Sequence, residues 1–204
     1  MRHTYLRLIP ILVALVGLIG EANSQKKRGA ARYRCPDEHA WTGIYRNYVF
    51  GFSIAIPRGF KGYWNSLRCA PDEKYGCVCF NDHGRFIPLS KDTSIDVFVG
   101  YQMEPDWSIR DHERQAISSL TDDKQNQQIK VVRSQWFRLG SLRTRRFKAR
   151  YLKDNKPAIR DQIVALHKGV EYQLILRTSP KRYGADRRQF EKLIASWRLT
   201  RRVE

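Results

Sequence analysis

The run Ile163-Val164-Ala165-Leu166, closed by His167-Lys168-Gly169 and answered by Leu174-Ile175-Leu176, decides the fold. Both runs are short, and both are apolar at consecutive positions. A sheet with one wet face alternates apolar and polar side chains; a strand without alternation is covered on both sides. The middle of this sheet therefore lies between two further layers.

Working outward, strands over about 145 to 151, 158 to 167 and 170 to 178 form a meander. They are joined at Lys153-Asp154-Asn155-Lys156 and His167-Lys168-Gly169, residue types that suit tight turns. Strand signals also cover 129 to 137, and Ile95, Val97, Val99 and Tyr101 recur at period 2. Two amphipathic helices are available to cover the sheet. The first starts at a cap on Asp106 and stripes Ile109, His112, Ala116, Ile117 and Leu120, with Asp111, Glu113 and Arg114 facing away. The second runs from 185 to 196 and stripes Phe190, Leu193, Ile194 and Trp197. The expected class is α/β (α+β), a mainly antiparallel sheet sandwiched between helices as α/β/α.

The N-terminus reads as an export signal over residues 1–24. Arg2 and Arg7 precede an apolar run from Leu8 to Ile19, and Ala22-Asn23-Ser24 offers a small-residue cleavage site before Gln25. The run is shorter than the ~20 residues that span a bilayer. A polar, flexible lead-in is expected over 25–43 and a single domain over 44–200. Export places the chain in the periplasm or outside the cell.

Without Arg2, Arg7 and Glu21 the chain keeps 36 basic and 19 acidic side chains, and they are unevenly spread. Residues 25–106 hold 12 and 9, whereas residues 107–204 hold 24 and 10. A field of this sign favours an acidic protein or an anionic envelope polymer as partner.

Cys35, Cys69, Cys77 and Cys79 are an even set in an exported chain and read as two disulfides. Pairing Cys77 with Cys79 is strained, because residues two apart in an extended chain lie about 7 Å apart. Two connectivities remain: Cys35–Cys77 with Cys69–Cys79, or Cys35–Cys79 with Cys69–Cys77. Either one staples an irregular stretch, 58–85, to the N-terminal segment. The competing reading is a metal- or thiol-dependent enzyme centred on Cys69, Cys77, Cys79 and His83, although paired C-x-x-C elements are missing.

The order of elements resembles that of PsbP-like domains. The opening Tyr48-Val49-Phe50-Gly51-Phe52-Ser53-Ile54-Ala55-Ile56-Pro57 is similar to the start of that family. Gly169-Val170-Glu171-Tyr172, Ser179-Pro180, Tyr183, Phe190 and Ile194-Ala195-Ser196-Trp197-Arg198 are similar to its close. The resemblance implies a Mog1/PsbP-type sandwich used mainly for protein binding. Among bacterial exported members it implies no assigned activity, and it brings no catalytic residues and no cofactor.

The most polarised stretch is 133 to 160, with ten basic residues and Asp154 as its one acid. Arg145, Arg146, Lys148 and Arg150 are the candidate partner-binding residues. In a strand, Arg146, Lys148 and Arg150 form a row at about 7 Å spacing, opposite Phe147, Ala149 and Tyr151. The alternatives are an extracellular polyanion or nucleic-acid site, or an edge kept soluble by its charges. His112 and His167 read as structural. A G-x-S-x-G, an H-E-x-x-H and a Walker loop are all missing from the sequence.

Overall fold

The computed structural model describes residues 40–65, 69–70, 78–79, 81–88, 93–102 and 104–200. The signal segment 1–24, Cys35 and Cys77 lie outside these residues.

Four long strands near the C-terminus build the frame: β9 (Asn126–Leu139), β10 (Leu142–Lys153), β11 (Lys156–His167) and β12 (Val170–Thr178). Earlier strands are β1 (Ala40–Trp41), β2 (Ile44–Asn47), β3 (Phe52–Ala55), β4 (Phe60–Asn65), β5 (Cys69–Ala70), β6 (Val78–Cys79), β7 (Asn81–Pro88) and β8 (Ser94–Tyr101). α1 (Ile109–Asp122) precedes β9, and α2 (Tyr183–Ser196) leads to β13 (Arg198–Leu199). The main sheet has eight strands in the order β1-β4-β7-β8-β12-β11-β10-β9, antiparallel throughout. β13, β3 and β2 form a second, small sheet.

Two-residue turns pin the register of the frame. Asp154 and Asn155 both have positive φ between the paired Lys153 and Lys156. Lys168 and Gly169 do the same between His167 and Val170. Two positive φ values in succession give the twist that antiparallel neighbours need, and Asn, Asp and Gly reach them at least cost.

Both faces of the sheet are covered. Residues 159–165 of β11 are all buried. Ile163 and Ala165 belong to a core shared with α2 and the small sheet, while Val164 packs with Ala116 and Leu120 of α1. The first core is built around stacked rings. Phe52 lies flat on Trp197, with centroids 4.8 Å apart, and Tyr172 meets both rings edge-on. The Tyr172 hydroxyl donates to the Phe50 carbonyl at 2.7 Å. Asp186, buried in the first turn of α2, accepts from Thr93 at 2.5 Å, Thr178 at 2.6 Å and Arg182 at 3.1 Å.

Several expectations need correction. α1 is capped by Ser108, not Asp106: Ser108 and Asp111 form a reciprocal capping box that starts the helix later. Glu113 does not face solvent but lies buried on the sheet side of α1. The stretch 58–85, expected to be irregular, contributes β4 and β7 to the main sheet. Its order comes from pairing with β8, which local alternation does not encode. At the end of the lead-in, Ala40 and Trp41 pair with Tyr63 and Gly62.

Candidate anion-binding face

β9 and β10 together carry nine basic residues and no acid. Their register sets like charge against like charge. Lys130 pairs across with Arg150, Arg133 with Lys148, and Arg138 with Arg143. Side chains directly opposite in an antiparallel pair share a face and lie about 5 Å apart at Cβ. Lys130, Arg133, Lys148 and Arg150 therefore form a square of cations on the α2 side. Lys130, Arg133 and Arg150 are exposed and Lys148 is half-buried. Lys148 Nζ sits 5.3 Å from the Tyr183 ring centre.

The expected row of Arg146, Lys148 and Arg150 is broken at its first member. Arg146 is buried and grips Asp161 through two hydrogen bonds of 2.7 and 2.9 Å, with a third to Glu191 at 2.8 Å. Burial alone would lower its pKa, but the bonds to Asp161 and Glu191 reverse this and hold it above the ordinary arginine value. Burial, then the Asp161 carboxylate, pushes the Tyr183 phenol up to about 12, so it stays protonated and donates to Asp161 at 2.8 Å. Arg146 thus fastens β10 to β11 and α2.

Arg145 is engaged as well. Its Nε donates to Glu113 at 2.7 Å, and the same carboxylate accepts from Ser134 at 2.7 Å. On this α1 side of the strands Trp136 is partly exposed and ringed by guanidinium groups. Arg143 lies 4.1 Å from its ring centre, Arg145 5.0 Å and Arg110 5.8 Å. Each such contact is worth about 0.5–1 kcal/mol at an exposed ring.

Of the four residues singled out from sequence, Arg150 is exposed and Lys148 half-buried on this face, and Arg145 and Arg146 are held by carboxylates. Lys130 and Trp136 escaped the sequence reading, and Arg133, Arg138 and Arg143 lay within its polarised stretch without being singled out. The signal was present: the tight turn at Gly140-Ser141 pairs Leu139 with Leu142, and counting back from it aligns the two strands. Phe147 and Tyr151 are buried under α1 and offer no platform for a base.

Between β10 and α2 lies a cleft of about 50 Å³ lined by Arg133, Lys148, Asp161, Tyr183 and Arg187. That holds a few waters; small-molecule sites run from about 300 Å³ upward. Among the described residues, no group of three His, Cys, Asp or Glu side chains could hold a metal ion. The side chains of Cys69, Cys77, Cys79 and His83, the alternative metal or thiol centre, fall outside the described region. His112 is buried, its Nδ1 3.0 Å from Glu171 Oε2 and its ring against Trp107.

The architecture is an antiparallel sheet with one helix on each face and a charged margin. No family model matches the chain, and no curated protein matches its sequence. Solved structures do match. The solution structure of cyanobacterial PsbP (CyanoP) from Synechocystis sp. PCC 6803 aligns over 82% of this chain and 98% of its own, at 14% identity and a TM-score of 0.56. The crystal structure of LpqN, described as involved in cell envelope biogenesis of Mycobacterium tuberculosis, aligns over 80% of this chain and 93% of its own, at 13% identity and a TM-score of 0.51. The chain has the PsbP-like fold.

Proposed function

We propose that this protein is an exported, non-catalytic accessory domain that engages an acidic protein or an anionic envelope component through the β9–β10 face. The observation that carries this is the like-charge register. Cationic side chains set opposite one another repel, by about 0.8 kcal/mol in water before salt screening if their charges approach to the ~5 Å spacing of their Cβ atoms and by less when the long side chains splay apart. Three such cross-strand pairs stand on one pair of strands with no acid in either. An anionic partner relieves that repulsion on binding. The face is open rather than enclosed, which suits a macromolecular partner. CyanoP and LpqN, the latter named for envelope biogenesis, share the fold and fit an accessory role in an envelope compartment.

The test compares two triple variants on an anionic column with a salt gradient. One removes Arg133, Lys148 and Arg150 (each to Gln); the other removes the exposed Lys124, Lys156 and Lys181 (each to Gln). The face variant is expected to elute at lower salt than its control. Identical elution would leave only bulk charge and remove the site.

A further inference from the structure

The geometry points to an extended acidic polypeptide segment, added as a further strand along the free edge of β9, as the occupant of this face. The inference rests on the reading of β9–β10 as an anion-binding face and narrows it to one class of partner.

β9 is the last strand in the order of the main sheet, and among the described residues its outer edge has no strand partner. At 14 residues it is long for a margin, since most strands run about 5–6 residues. Its pairing with β10 shifts between Lys148 and Ala149, opposite Val131 to Arg133. That irregularity interrupts the edge, because a bulge bends the strand and breaks the ladder. The regular part that can accept a new strand is therefore 133–139.

Among the described residues, Val131, Val132 and Trp136 are exposed large hydrophobic residues on this one strand, Trp136 within 133–139 and the two valines at the irregularity that bounds it. A phosphate or sulfate polymer has no use for them. A polypeptide does, because its own apolar side chains can pack there while its backbone pairs with the edge.

Charge says which polypeptide. Cations flank the edge on both faces. Arg133 and Lys148 lie toward α2, and Arg138 and Arg143 lie toward α1 with Arg110 near Trp136. An added strand sends successive side chains to opposite faces, about 7 Å apart on each. Acids at neighbouring positions would then meet both groups of cations at once. The chain's own segment 25–39 is a poor occupant, because Lys26, Lys27, Arg28, Arg32 and Arg34 outnumber Asp37 and Glu38.

The probe is a fluorescent peptide of glutamate and valine, long enough to span 133–139 and with acids on both of its faces. Two further versions carry N-methyl groups on alternate residues, one for each set of backbone donors. Charge is unchanged in both, but strand pairing is blocked in one of them. The inference expects saturable anisotropy, slowed amide exchange at 133–139, and about tenfold weaker binding of one N-methylated version. It also expects weaker binding to the Arg133→Gln/Arg138→Gln variant, whose substituted side chains are exposed and whose fold is checked by circular dichroism. If both N-methylated versions bind as tightly as the parent and exchange at β9 is unchanged, strand addition is wrong. Binding of a charge-matched polyphosphate in that case leaves the anion-binding face standing as a polymer surface. Binding of neither probe removes both readings.

Discussion

Arg146 and Lys148 are two residues apart on the same face of β10, and their roles are opposite. Arg146 is buried against Asp161, and losing it would strand that carboxylate. Breaking a buried pair from one side costs about 3–5 kcal/mol. Arg146→Met should lower the urea midpoint accordingly, whereas Lys148→Gln and Arg150→Gln should leave it nearly unchanged, a contrast read from denaturation curves. Asp186 makes a pH-dependent case. Burial raises its pKa, but hydrogen bonds from Thr178, Thr93 and Arg182 outweigh that and hold it below the usual aspartate value. The group therefore binds its proton more weakly folded than unfolded. Its stabilisation is complete above the unfolded pKa and is lost as pH falls through the lower, folded value. Asp186→Asn should cost about 2 kcal/mol near neutrality and flatten the acid limb of stability below about pH 4. Urea midpoints across the acid range check both.

At the scale of elements, the C-terminal frame was legible because its signals are local. The turns at Asp154-Asn155 and Lys168-Gly169 hold positive φ values, which Asp, Asn and Gly favour and Lys168 adopts beside Gly169, and the apolar run of β11 correctly implied cover on both faces. β4 and β7 were not legible, since their order comes from pairing with each other and with β8 rather than from alternation of their own side chains. The candidate face was half legible. Charge on β10 was plain from sequence, but the partners of Arg145 and Arg146 sit on α1, β11 and α2, and only three-dimensional packing brings them in. The small β5–β6 ladder adds a prediction. It pairs Cys69 with Cys79 across the strands, and opposed Cα atoms in an antiparallel pair lie about 4.5–5.5 Å apart, within the range a disulfide spans. Peptide mapping of the oxidised protein should recover Cys69 joined to Cys79; recovery of Cys69 joined to Cys77 would overturn this register-based choice.

For the whole molecule, the first and last described segments depend on one another. Phe52, near the start of the domain, stacks on Trp197, and Leu199 pairs with Phe52 in the small sheet. β8 likewise waits for β12, since the two are neighbours in the sheet yet about seventy residues apart in sequence. A polypeptide that emerges N-terminus first, from a ribosome or through a translocation channel, exposes Phe50, Phe52 and Ile54 well before their covering rings exist. β1, β4, β7 and β8 can pair among themselves beforehand, but the ring stack on Phe52 stays uncovered until Trp197 and β13 are delivered. Closure of that core is therefore tied to the far end of the domain, whose strand β13 completes the small sheet.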